Sequence, residues 1–235
     1  IYNMWTNFDQ YASLYDAWFL ENENVLLSEL RLVAMTLADA GRILSVGCGS
    51  GLFEKLLDKE FGIKITNGIE PSKEMAAIAT ARGIDVTICS AEDADFGKQD
   101  YDTILFNGTP SYIDDLDSVV RKAYDALPVG GRIVLIDVPK ESSYGLLYNL
   151  AMTLGTWDHP LLEGCKPRDP YPIQLVKAAH WRTTASKLEI VKACGFKDIT
   201  TAQTLTTHPL VSDAAAEMPQ QGCDKGDYVA VIAYK

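Results

Sequence analysis

The chain has 235 residues, 47% of them hydrophobic, with a formal net charge of −11 and a pI near 4.7. That length can bury one sizeable core, while the negative field repels nucleic-acid phosphates and anionic lipid, so neither nucleic acid nor membrane is an expected partner. Apolar runs are broken by Asp, Lys, Gly or Pro well short of the roughly 20 residues a membrane helix needs, and Ile1 to Gln10 lack the basic-then-apolar order of a signal peptide, so a cytoplasmic protein is expected.

The N-terminal stretch carries Trp5, Phe8, Tyr11, Tyr15, Trp18 and Phe19 at mostly three- and four-residue spacing, the pattern of an amphipathic helix with an aromatic stripe. Strand-length apolar runs follow at Arg42 to Val46, Ile63 to Ile69, Ile84 to Cys89, Tyr101 to Phe106 and Arg132 to Val138. Between them, Ser72 to Arg82 reads as a helix bracketed by Pro71 and Gly83. Leu116 to Leu127 reads as another, with Val119, Val120, Ala123 and Tyr124 on one face. After a helix around Tyr144 to Leu154 comes a cluster of Pro160, Pro167, Pro170 and Pro172. The long stretch from Pro139 to Ala179 is the candidate for a substrate-covering insertion. Thr183 or Thr184 can cap a helix ending at Gly195, followed by strands at Phe196 to Leu205 and Tyr228 to Ala233 that can pair antiparallel at a sheet edge.

This alternation predicts an α/β fold: a Rossmann-like doubly wound sheet, mostly parallel with an antiparallel C-terminal edge strand and helices on both faces. One domain is expected, with a helical cap over 1–40, a ligand-binding core over 41–138, the insertion over 139–180, and a C-terminal helix and two strands over 181–235. The five cysteines, Cys48, Cys89, Cys165, Cys194 and Cys223, are scattered without a C-x-x-C pair, and His159, His180 and His208 lack ligand spacing. Neither a disulfide framework nor a metal site is therefore expected.

The run Arg42-Ile43-Leu44-Ser45-Val46-Gly47-Cys48-Gly49-Ser50-Gly51 is an apolar strand that empties into three glycines and then a helix beginning near Leu52. Glycines let a ligand approach the backbone, and a helix N-terminus offers unpaired N–H groups to it. Nineteen positions on, Glu70 ends the second strand in Gly68-Ile69-Glu70-Pro71-Ser72, where an acid can accept hydrogen bonds from both ribose hydroxyls. A dinucleotide site wants G-x-G-x-x-G/A, and Leu52 stands in the third place, which disfavours NAD.

Together with Ser90-Ala91-Glu92-Asp93 and Leu127-Pro128-Val129-Gly130-Gly131-Arg132-Ile133-Val134-Leu135, these motifs stand in the order found in class I S-adenosylmethionine-dependent methyltransferases. The sequence resembles that family, of the type that includes ubiquinone-biosynthesis methyltransferases, most strongly over Ala40 to Asp137. The resemblance implies that the protein binds S-adenosylmethionine, releases S-adenosylhomocysteine and methylates a small-molecule acceptor by direct displacement. Gly47, Cys48 and Gly49 would lie along the methionine part of the donor, with Gly51 closing the turn. Glu70 and Pro71 would border the ribose, and Ser72 with Met75 the adenine. Ala91 would meet the adenine through its backbone, Ser90 or Glu92 could reach its amino group, and Asn107 would lie between donor and acceptor. Tyr11 or Tyr15 would close over the donor.

Two positions depart from the family. Ser45 stands where an acid is usual and Ser90 where Asp is frequent, which weakens the expected hydrogen bonds. The donor carries the hard chemistry, so the residues indicate no unique base. His180, Tyr11, Tyr15 and His159 are the candidates. An NAD(P)-dependent oxidoreductase, an aminopropyltransferase and a non-catalytic S-adenosylmethionine-binding protein are the alternatives, and the sequence does not choose between monomer and homodimer.

Overall fold

The computed structural model describes residues 5–235, and their side chains from Phe8 onward apart from Gln10 and Tyr11. Its strands are β1 (Ile43–Val46), β2 (Asn67–Ile69), β3 (Asp85–Thr87), β4 (Thr103–Asn107), β5 (Arg132–Asp137), β6 (Lys197–Thr204), β7 (Gln220–Gln221) and β8 (Tyr228–Tyr234). The helices are α1 (Trp5–Glu21), α2 (Glu23–Thr36), α3 (Leu52–Phe61), α4 (Lys73–Ala81), α5 (Leu116–Ala126), α6 (Ser143–Leu154), α7 (Ile173–Lys177) and α8 (Thr184–Cys194). The strands form one sheet in the order β3-β2-β1-β4-β5-β8-β6-β7, parallel from β3 through β5.

The predicted fold class is found, with one difference in strand position. β8 does not sit at the edge: it lies between β5 and β6, antiparallel to both, and the two-residue β7 takes the edge. Composition gives the reason. Tyr228–Tyr234 is an unbroken apolar run buried along nearly its whole length, as an interior strand requires, whereas β6 begins with the exposed residues Lys197 and Asp198.

Alternation along the strands divides the core into two layers. Leu105, Val134, Ile136, Ala230 and Ile232 face α2 and α3, together with the 139–180 segment. Ile104, Phe106, Ile133, Leu135 and Val231 face α5 and α8. The predicted helix ends are the observed ones to within a residue. Ser72 caps α4 by accepting from the Met75 amide, Asp115 caps α5, and Thr183 caps α8 by accepting from Ser186.

Arg132, only 9% exposed, joins sheet to helix layer. Its guanidinium donates to the carbonyls of Thr36 and Ala38 at 3.0 and 2.6 Å and to Thr103 Oγ1 at 3.2 Å, closing the carbonyl end of α2 over the starts of β4 and β5. Replacing it strands buried carbonyls, so Arg132→Met is expected to lower unfolding stability by roughly 2–3 kcal/mol. Urea denaturation at neutral pH measures this, and a change below about 0.5 kcal/mol, the range of an ordinary surface substitution, would refute the tie.

Candidate functional site

A doubly wound sheet binds its ligands beyond the carboxyl ends of the strands, where the strand order reverses. Here the chain moves outward from β1 to β2 and β3, then returns to β4 on the other side of β1. A cavity lies over this point. Gly47 and Gly49 line it from β1, Ile69, Glu70 and Pro71 from β2, Asn107 and Thr109 from β4, and Asp137 and Val138 from β5.

The glycine turn is built for close approach. The amides of Gly47 and Cys48 both donate to the Ile69 carbonyl, at 2.7 and 3.1 Å, hooking the turn over the end of β2. Gly47 has φ of +71°, and a Cβ there would come within 2.4 Å of the Thr109 side chain. Gly49 also has a positive φ, +55°, but a Cβ there would meet nothing within 4 Å, so its bare backbone borders open space. Gly51 instead packs against Ile84, and the Cys48 thiol turns away to Ala79 and Ile84, where burial pushes its pKa up.

Glu70 is 6% exposed and accepts from the Gly49 amide at 2.9 Å on one oxygen and from the Ser72 amide at 2.8 Å on the other. Each oxygen keeps a lone pair for a ligand hydroxyl. Burial pushes the carboxyl up to about 7 against the pull of the two amides. Met75 and Ala91 complete this end of the cavity. The loop that presents Ala91 is gathered by Lys122, whose ammonium donates to the carbonyls of Ala91, Glu92 and Ala94 at 3.0 Å or less.

Helix α1 lies across the same loops. Asp9 accepts from the Ser72 hydroxyl at 2.6 Å, and Asp16 accepts from the Ser50 hydroxyl and from Arg82, the latter at 2.6 Å. From the other side the 139–180 segment meets α1: the Trp18 indole donates to the Asp169 carbonyl at 3.0 Å and Asn22 to its carboxylate at 2.9 Å. Between them is an aromatic chamber. Trp18 and Tyr171 meet edge to face at 5.2 Å, as do Phe8 and Tyr112 at 5.0 Å, and Tyr148 and Trp181 meet tilted at 4.9 Å. Glu29 of α2 borders this chamber. It is 7% exposed, no hydrogen-bond partner is found for its carboxylate among the described residues, and burial alone pushes it up to about 8.

Of the residues singled out in the sequence, Gly47, Gly49, Glu70, Pro71, Met75, Ala91, Asn107 and Tyr15 line one cavity. Ser72 stands behind Glu70 as a helix cap. Ser90 closes its own turn with Asp93, and Glu92 holds the Asp114 amide at 3.0 Å, so neither side chain is among the cavity's lining. Ser45 donates to buried Glu54 at 2.7 Å, so an acid does stand behind the turn, supplied by α3.

The side chain of Tyr11 lies outside the described residues. His180 does not reach the cavity: it makes an exposed 2.8 Å pair with Asp114 at the surface, its backbone fixed by donating to the Ser111 carbonyl. His159 caps a turn by accepting from the Leu161 amide. The Tyr15 hydroxyl stays protonated, because burial and nearby carboxylates raise its pKa well above the usual value. Glu29, Asp137, Asp9, Asp16 and Lys122 were not read from the sequence. Only Glu29 left a local signal, an acid inside the apolar stripe of Val25, Leu26, Leu30 and Val33.

A family model described as a methyltransferase domain matches residues 19–190. An uncharacterised protein of Methanocaldococcus jannaschii is 31% identical over 97% of this chain and 98% of its own. A ubiquinone/menaquinone biosynthesis C-methyltransferase of Desulfotalea psychrophila is 26% identical over 52% of this chain and 51% of its own. The crystal structure of a Thermotoga maritima protein, described as an S-adenosylmethionine-dependent methyltransferase and possible histamine N-methyltransferase, superposes with a TM-score of 0.82. It covers 99% of this chain and 100% of its own at 27% identity.

The buried carboxyls have a measurable cost. An unfolded Glu titrates near 4.5, whereas Glu29 in the folded protein holds its proton up to about 8. Between those values the unfolded state binds fewer protons, so stability falls as pH rises through this window. Glu29→Gln mimics the protonated form. Its gain over the wild type is expected to be near zero at pH 4.5 and to grow to as much as a few kcal/mol above pH 8, at 1.36 kcal/mol per unit. Urea denaturation of both proteins without ligand across that range tests it, and a difference independent of pH would overturn it.

Proposed function

The chain belongs to the S-adenosylmethionine-dependent methyltransferases, and from that premise we propose that it methylates a small-molecule acceptor by direct displacement. What supports the reading is a single cavity with two unlike ends. Glu70 and the open backbone of Gly49 border one end, the aromatic chamber forms the other, and Asn107 lines the same cavity. When bound, the donor supplies a methyl group on a sulfonium, whose electron pair stays with sulfur as the methyl moves.

The chain's own residues then bind, orient and shield. Glu70 accepts the ribose hydroxyls on its remaining lone pairs, with both oxygens already aimed by Gly49 and Ser72. Ile69, Met75 and Ala91 flank the adenine with apolar surface. Tyr228 donates to Asn107 Oδ1 at 2.9 Å, fixing the orientation of this amide on the cavity wall. Helix α1 and the 139–180 segment exclude water and align the acceptor, which supplies most of what a displacement asks of its enzyme. Such an enclosed, aromatic-lined chamber in a chain of net charge −11 suits a small molecule better than a nucleic acid. Family membership decides against the oxidoreductase alternative, and the Ser45–Glu54 pair supplies the buried acid whose absence would have favoured a lost site.

Calorimetry with S-adenosylhomocysteine, with NADH as control, tests the reading. The wild type is expected to bind the sulfur ligand with a micromolar Kd and not to bind NADH. Glu70→Ala removes hydrogen bonds to a charged group worth about 1.5–3 kcal/mol each, so its Kd should rise at least about tenfold. No sulfur-ligand binding by the wild type would overturn the proposal.

A further inference from the structure

Glu29 has no task in donor binding or in holding the fold. It sits in the middle of α2 among Val25, Leu26, Leu30 and Val33, positions where an apolar residue would serve packing better. It is 7% exposed, lines the chamber, and finds no hydrogen-bond donor among the described residues. A carboxylate held in so apolar a chamber destabilises the protein that carries it, and a cation or strong donor arriving from outside removes part of that penalty.

The surroundings specify the charge of that arrival. Among the described residues no Lys, Arg or His lines the cavity, while Glu70 and Asp137 add two further carboxyls. An anionic acceptor would add to the negative charge there, and a neutral one could offer Glu29 a hydrogen bond but no compensating charge. Around Glu29 the walls are Tyr15, Trp18, Tyr148 and Tyr171, whose ring faces attract cations. Carboxylate and aromatic faces together select an ammonium-type group over an alcohol of the same shape.

We propose that the acceptor carries a cationic amine, and that Glu29 within the aromatic chamber is the group that seats it. This assignment rests on the methyl-transfer reading above and names the substrate class of the same site. The roles divide along the cavity, with Glu70 serving the donor end and Glu29 the acceptor end. Glu29 is thus a specificity-determining residue, whose removal changes which molecule is held and leaves the donor end intact.

The experiment uses the full chain saturated with S-adenosylhomocysteine and two matched probe pairs, phenethylamine with phenethyl alcohol and butylamine with butanol, titrated by calorimetry. At least one amine should bind the wild type about tenfold or more tighter than its alcohol, and Glu29→Gln should shrink that ratio to below about threefold. S-adenosylhomocysteine affinity of the variant should match the wild type, showing that the variant is folded. If neither amine exceeds its alcohol on the wild type, or if Glu29→Gln keeps the preference, the amine assignment is overturned while the methyl-transfer reading stands. If S-adenosylhomocysteine itself fails to bind the wild type, the methyl-transfer reading falls and takes this assignment with it.

Discussion

One carboxylate holds the site together. Glu70 spans from the Gly49 amide to the Ser72 amide, so the turn after β1 and the turn after β2 are tied through a single side chain. Both turns are otherwise loops, the part of a fold most free to wander. With the clamp in place, the Gly49 backbone borders the cavity, Ser72 is positioned to cap α4, and Met75 one turn later reaches the same space. Charge-assisted bonds to backbone N–H groups are about twice as strong as neutral ones, which suits a residue that must fix two loops and still receive a ligand.

The closure of the site depends on those same turns. Asp9 and Asp16 of α1 hold Ser72, Ser50 and Arg82, residues that flank the glycine turn and the Glu70 turn. The 139–180 segment bonds to α1 at Trp18 and Asn22 through Asp169, and Tyr171 packs on the Trp18 ring. Apolar packing joins these polar contacts: Trp18 and Phe19 of α1 and Tyr148, Tyr171 and Leu175 of the segment are buried in the core layer, so lifting this cover exposes apolar surface.

The parts of this arrangement legible in the sequence are those with a local cause. The glycine turn, the caps at Ser72 and Thr183, and the apolar face of α5 all follow from neighbours within four residues. The interior position of β8 was not legible, because an apolar run announces burial but not which strands lie beside it. The bonds from Asp9 and Asp16 span more than thirty residues and leave no spacing to read. His180 shows the opposite failure: residue type suggested chemistry, while the backbone bond to Ser111 fixes it at the surface. Ser45 was read as a missing acid because a motif is compared position by position, and the buried acid arrives nine residues later, on a helix. Helix α2 hid behind its own exception, Glu29, which interrupts an otherwise plain apolar stripe.

The same electrostatic bias that weakens the empty protein favours its ligands. Glu29 and Glu70 are pushed up to about 8 and 7 by burial, and Asp137 is raised by the same cause, partly offset by Lys187. Among the described residues that line the cavity, no cation relieves these groups. A positively charged occupant therefore gains both its own attraction and the relief of a strain present before it arrived. Because it binds only the folded state, it returns the lost stability in proportion to its affinity. The site is thus preorganised at the expense of the empty fold, with the electrostatic work done during folding rather than at the moment of reaction. The core can bear that load because the strands beneath the cavity, β1, β4 and β5, are buried along nearly their whole length.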